Sequence, residues 1–208
     1  MRILHLSDTH NSHSLLHDLP AADVIVHSGD VSAVGNSKDV MDFFVWFCAL
    51  DYKYKILVAG NHDACLHGAK FSQSSLPTNF FFLCNSGVTI KGVKFWGVKF
   101  WGLPNSFFTK KDVDGFQQML AKIPSDTDIL ITHRPPYGIL DKTYKSLGCI
   151  YLLQAVLKIS PHYHLFGHIH EAYGIEKLNE TTFVNASMVN ESDELVNKPV
   201  VFEFEARR

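Results

Sequence analysis

Cysteine is scarce and scattered in this chain of 208 residues. The four present, Cys48, Cys65, Cys84 and Cys149, form no CxxC pair, which argues against a disulfide framework or a cysteine zinc site. Long apolar runs are also missing: none approaches the roughly 18 residues of a membrane span. The opening Met1–Leu6 turns polar too soon for a secretory signal. There is no basic excess either. The 19 Lys and Arg face 21 Asp and Glu, a net charge of −2, whereas a dedicated nucleic-acid binder carries a positive surplus. No linker or low-complexity tract divides the chain. The expectation is one domain over residues 1–208 in a reduced, cytoplasmic setting, with no membrane contact.

What the chain has in quantity is histidine, 12 residues in all. Apolar residues at 46% and charged residues at 19% exclude a disordered chain and suffice for an ordinary core. Five times, a short run rich in Val, Ile and Leu ends in a polar cluster. Arg2–Leu6 leads into Ser7-Asp8-Thr9-His10, and Val24–Val26 into His27-Ser28-Gly29-Asp30. Ile56–Ala59 leads into Gly60-Asn61-His62-Asp63, Ile129–Ile131 into Thr132-His133-Arg134, and His164–Phe166 into Gly167-His168-Ile169-His170. Such runs, bounded by Gly or Pro, read as buried strands. Helical spacing lies between them at Ser37–Leu50, opened by Ser37 as N-cap, at Val113–Ile123, and at Gly148–Ile159, stopped by Pro161.

Strands alternating with helices imply a largely parallel α/β core. Phe80–Leu83, Val88–Lys91 and Val93–Trp101 read instead as hairpin-connected strands, as do Tyr173–Leu178, Thr181–Val184 and Pro199–Phe204. Two packed sheets with helices outside are therefore expected. The tandem VKFWG repeat, Val93–Gly97 then Val98–Gly102, reads as structural. A five-residue step reverses side-chain faces in a strand, so either Gly97 marks a bulge or turn, or a sheet edge absorbs the duplication.

In α/β sheets, ligands collect at the carboxyl ends of strands. Here all five ends carry candidates: Asp8, His10, Asp30, Asn61, His133, His168 and His170, with His62 and Asp63 alongside. Oxygen and nitrogen donors without sulfur suit manganese, iron or zinc. Seven ligands exceed the needs of one tetrahedral ion and fit two divalent ions if a carboxylate bridges them. Such a pair clamps the attacking and leaving oxygens of phosphoryl chemistry. Gly29, Gly60 and Gly167 precede ligands where the chain must turn sharply. Gathering this many carboxylates and imidazoles would be costly without a cation.

The order Asp8-Thr9-His10, Gly29-Asp30, Gly60-Asn61-His62-Asp63, Thr132-His133, Gly167-His168-Ile169-His170 resembles the calcineurin-like metallophosphoesterase superfamily across residues 3–170. Thr132–Asp141, Gly148-Cys149, Phe166–Glu171 and Asn185-Ala186-Ser187 look more particularly like the class III phosphodiesterase branch that includes the metallophosphoesterase-domain (MPPED) proteins. The resemblance implies a four-layer α/β/β/α sandwich and a dinuclear centre. Metal 1 would take Asp8, His10, Asp30 and His170. Metal 2 would take Asp30, Asn61, His133 and His168, with Asp30 bridging. His62 would face the phosphate, oriented by Asp63.

Two departures from the branch stand out. Arg134 replaces a usual glycine, and Leu103–Asp112 does not follow the branch's Trp-containing loop. Arg134 is the only one of four arginines away from the chain ends. It either grips a phosphate bidentately or points away from the site. Asn11 either contacts the phosphate or caps the following helix. His5 and His27 read as partners behind the ligands or as core packing, and His164 as structural. Asn185 and Ser187 read as buttresses of the ligand loops.

The expected reaction is hydrolysis of phosphodiesters or phosphomonoesters by a metal-bridging hydroxide. His62 would protonate the leaving alkoxide while Asp63 holds its ring. The expected partner is a small phosphoester, nucleotides included, and the expected cofactors are two divalent ions. Two other functions compete. A nuclease acting on single strands would need a basic track and stacking aromatics, for which Phe107 and Phe108 are candidates. A non-catalytic scaffold would show lost ligands, and none is lost.

Overall fold

The computed structural model describes residues 1–67, 76–98 and 110–205. In chain order the elements are β1 (Arg2–Leu6), β2 (Val24–His27), α1 (Ser37–Ala49), β3 (Tyr54–Leu57), α2 (Ala64–His67), β4 (Phe80–Phe82), β5 (Ser86–Ile90) and β6 (Val93–Gly97). They continue with α3 (Lys110–Leu120), β7 (Ile129–Ile131), α4 (Ile150–Ile159), β8 (Tyr163–Phe166), β9 (Gly174–Leu178), β10 (Thr181–Asn185) and β11 (Val200–Glu203). One sheet has the order β11-β1-β2-β3-β4, the other β5-β6-β7-β8-β10-β9. Both are mixed. β1 to β4 are parallel, with β11 antiparallel on β1. β6, β7, β8 and β10 are parallel, with β5 and β9 antiparallel at the edges.

The period-two alternation of the strands builds three apolar layers. Ile3, Val24, Val26, Ile56, Ile129, Ile131, Leu165 and Val184 meet between the sheets. Their neighbours Leu4, Leu6, Ile25 and Leu57 turn the other way, onto Val40, Phe43, Phe44 and Phe47 of α1. On the far side, Leu130, Phe166 and Phe183 pack on Phe116, Met119 and Leu120 of α3 and on Leu152 and Val156 of α4. The result is the four-layer α/β/β/α sandwich, two mixed sheets flanked by helices.

Several expectations need correction. β4 does not hairpin with β5; it extends the first sheet beside β3. β11 leaves β9 and β10 to pair with β1 across the chain, Ile3 opposite Phe202. The N-cap of α1 is Asn36, whose side chain accepts from the Asp39 N–H at 2.9 Å, one residue before Ser37. Gly97, the last residue of β6, is a paired strand residue rather than a bulge or turn, and it is glycine because a Cβ there would strike Val58 and Leu83 of the inter-sheet layer. Of the second VKFWG copy only Val98 is described, and it continues the ladder by donating to the Ile131 carbonyl at 2.9 Å. All four cysteines are free. Among the described residues no helix is long and apolar enough to cross a membrane.

Candidate metal centre

The polar clusters leave their strands through unusual backbone. Asp8, His10, Asp30 and His168 have φ of 53°, 39°, 55° and 72°, a left-handed region that costs non-glycine residues about 1–3 kcal/mol each. Cross-loop bonds hold them there. Asp8 N donates to Gly29 O at 2.9 Å, and Thr9 N and His10 N both donate to Asp30 O at 3.0 and 3.2 Å. His168 N donates to both oxygens of Asp8, at 3.0 and 3.1 Å. Gly29 sits at φ 111°, and a Cβ there would meet Gly60 N at 2.6 Å. A Cβ on Gly60 would land on the Asp30 carboxylate. The loops after β1, β2 and β3 are thus pressed together.

Two groups of potential donor atoms converge there. Asp8, His10 and His170 form one, and Asp30, His133 and His168 the other, with donor atoms in each group within 4.8 Å of one another. Asp30 lies between them: its Oδ2 is 3.1 Å from His133 Nε2 and 3.8 Å from His10 Nε2. Asn61 Oδ1 approaches His133 Nε2 at 3.0 Å. Backbone carbonyls aim two rings. His133 Nδ1 donates to Ser28 O and His170 Nδ1 to Asn190 O, each at 3.0 Å, leaving Nε2 for the centre. His10 is 7% exposed, and among the described residues neither of its ring nitrogens has a hydrogen-bond partner. A buried imidazole with open nitrogens beside two carboxylates is a donor set that fits a cation.

The electrostatics agree. Burial pushes Asp8 and Asp30 up, but neighbouring imidazoles overcome it. His133 and His170 hold Asp8 well below the carboxylate range, and His133 also lowers Asp30. Burial pulls His133 down, yet the Asp30 and Asp8 carboxylates bring it up to about 9. His170 is likewise lowered by burial and raised past its ordinary value by Asp8. Burial and the nearby His133 and Arg134 charges push His168 down to about 3. The carboxylates demand positive charge from their surroundings.

The remaining candidates divide. His62 is exposed at the lip of the centre, its ring edge-on to His10 at 4.9 Å between centroids. Asp63 does not orient it. His62 Nδ1 donates to Ala33 O at 2.5 Å, while the fully buried Asp63 carboxylate accepts from the backbone N–H groups of Asp30, Val31, Ser32 and Gly60. Asp63 is therefore the knot of the loops after β2 and β3. Asn11 caps nothing with its side chain; its amide donates to Asp39 Oδ2 at 3.1 Å. Arg134 neither points freely away nor offers its whole fork, since Nε and Nη2 both donate to Leu147 O, at 3.3 and 2.8 Å. Asn185 donates to Ile169 O, between His168 and His170, at 2.8 Å. Phe107 and Phe108 lie outside the described residues. Sequence reasoning missed the carbonyls of Ser28, Ala33 and Asn190, which no residue type could signal.

Residues 1–172 match the sequence profile of the calcineurin-like phosphoesterase family. Among curated proteins, the chain is similar to metallophosphoesterase domain-containing protein 1 of Homo sapiens, 33% identical over all of this chain (100%) and 72% of that protein. A UPF0046 protein of Caenorhabditis elegans is also 33% identical, over 97% of this chain and 74% of its own length. Among solved structures, TT1561 of Thermus thermophilus superposes with a TM-score of 0.59 at 17% identity, covering 88% of each chain. That likeness speaks for the fold.

Proposed function

Because the chain belongs to the calcineurin-like phosphoesterase family, we propose that it hydrolyses small phosphoesters, mono- or diesters, at a centre of two divalent ions. Asp8, His10, Asp30 and His170 would hold one ion, and Asp30, Asn61, His133 and His168 the other. The observation that carries this reading is the convergence of two donor groups, with Asp30 of one group also 3.8 Å from His10 of the other. When bound, such ions neutralise phosphate charge and lower the pKa of a water toward neutrality. Manganese, iron and zinc match the nitrogen and oxygen donors.

The chain's own residues do the rest. His62 would act as the acid in its imidazolium form: with Nδ1–H held by Ala33 O, the second ring proton sits on Nε2 and would go to the leaving oxygen. Asp63 acts indirectly, by fixing the Asp30 and Gly60 amides that set both loops. Arg134 adds positive potential on the His168 side and keeps donors beyond those spent on Leu147 O. Asn11, exposed beside His10, would become a phosphate contact only on releasing Asp39 Oδ2, to which its amide now donates.

The test is a side-by-side panel on metal-reconstituted protein: p-nitrophenyl phosphate, bis-p-nitrophenyl phosphate, and cyclic and 5′-nucleotides. An Asp30→Ala control accompanies it. Turnover of at least one class that vanishes with Asp30→Ala supports the reading. No turnover with two ions bound sinks it.

A further inference from the structure

We propose that His5, His27 and His164 are positioning residues, three buried imidazoles that each lock a ligand loop through a hydroxyl close to the ligand. The proposal rests on the metal-centre reading above. All three rings are 0% exposed, and each lies in a different apolar layer. His27 packs edge-on to Phe43 of α1, at 5.0 Å between ring centroids. His164 packs against Phe166 and Phe183 at 5.0 and 5.7 Å. His5, two residues after Ile3 on β1, shares the inter-sheet face. An aliphatic or phenyl side chain would fill these places without the cost of burying an imidazole. What the imidazoles add is a hydrogen bond at one end.

Those bonds reach the ligand loops. Gly29 N donates to His27 Nδ1 at 3.2 Å, so the ring proton is on Nε2 and is donated to Thr9 Oγ1 at 3.1 Å. One ring thereby ties the loop of Asp30 to the loop of Asp8 and His10. Thr132 Oγ1 donates its single proton to Arg134 O at 2.7 Å, so at 2.9 Å it must accept from His164 Nε2. That hydroxyl clamps the two residues flanking His133. His5 Nε2 meets Ser28 Oγ at 2.9 Å, and the carbonyl of Ser28 is the group that aims the His133 ring. Thr9, Ser28 and Thr132 each stand one or two positions before a candidate ligand. Partners of this kind set ligand orientation and hence affinity.

The experiment titrates Mn(II) alone into chelator-stripped protein by calorimetry, with far-UV circular dichroism as the fold check. Thr9→Val and Thr132→Val keep the side-chain shape and remove the hydroxyl; Thr9→Ser and Thr132→Ser keep the hydroxyl. The valine variants should lose about 10–100-fold in Mn(II) affinity, and the serine variants should stay within about threefold of the unmodified chain. Valine variants that bind like the unmodified chain overturn the proposal, as do serine variants as weak as their valine counterparts. Should a valine variant fail to fold, Ser28→Ala carries the decision, with Ser28→Thr as the variant that keeps the hydroxyl: an alanine variant that binds like the unmodified chain, or a threonine variant as weak as the alanine one, overturns the proposal. An unmodified chain that takes up no Mn(II) overturns the metal-centre reading and this proposal together. Two ions bound without any ester hydrolysis overturn only the hydrolase reading, and the variant affinities still decide this one.

Discussion

His62 donates its Nδ1–H to the Ala33 carbonyl at 2.5 Å, so Nε2 carries a proton only when the ring is an imidazolium. If Nε2 protonates the leaving oxygen, His62→Ala should slow alkyl esters with poor leaving groups by about 10²–10⁴-fold. p-Nitrophenyl esters, whose leaving group needs little help, should slow far less. Comparing kcat/KM for the two classes checks this, and equal slowing would count against an acid. Asp63 belongs to stability. Asp63→Asn turns one acceptor oxygen into a donor facing backbone N–H groups in a fully buried site. The expected cost is about 2–4 kcal/mol, read as a lower midpoint of thermal unfolding. The candidate ligands are legible in the sequence because their chemistry is carried by residue type: Asp, His and Asn at strand exits. The Ala33, Ser28 and Asn190 carbonyls are not, since every residue has a carbonyl and only the fold selects one. For the same reason Asp63 reads in the sequence as a partner of its neighbour His62 and is in the fold a partner of four amides.

At the level of elements, the strands that feed the centre are readable from apolar runs broken by polar clusters, and α1 from its apolar spacing. Sheet membership is not. An apolar run such as Phe80–Phe82 signals burial but names no neighbour. β4 joins β3 rather than β5, and β11 pairs with a strand at the opposite end of the chain. Such long-range pairing leaves no local trace. The loops between elements carry the sharper prediction. Gly60→Ala would push a methyl group into the Asp30 carboxylate, whose Cγ would lie 2.7 Å from it. Mn(II) affinity should fall by more than about tenfold. Gly115→Ala, where no described residue beyond its own helix lies within 4 Å of the added carbon, should instead raise stability by up to about 1 kcal/mol through helix propensity in α3. Opposite signs from the same chemical change, measured by calorimetry and thermal melts, would separate close approach from helix preference.

Over the whole molecule, the buried histidines couple stability to pH. Burial pushes His5, His27, His164 and His168 down to about 3 from an ordinary 6.5. Between those values the unfolded chain binds more protons than the folded one, so stability rises with pH. Their contribution is complete above 6.5 and is lost progressively as pH falls toward 3, at about 1.4 kcal/mol per pH unit for each ring. His133 has the opposite sign: raised to about 9, it stabilises fully below 6.5 and loses that effect as pH climbs, so it leaves the acid limb unchanged. With a total stability of about 5–15 kcal/mol, four such rings are enough to unfold the ion-free protein near pH 4–5. Circular dichroism across an acid titration measures this. His164→Gln removes one titrating ring, so the transition should lose about one proton of steepness and its midpoint should move to lower pH after correction for the variant's stability at pH 7.5. An unchanged slope would mean that His164 titrates normally, and that its place beside Phe166 and Phe183 does not keep it neutral.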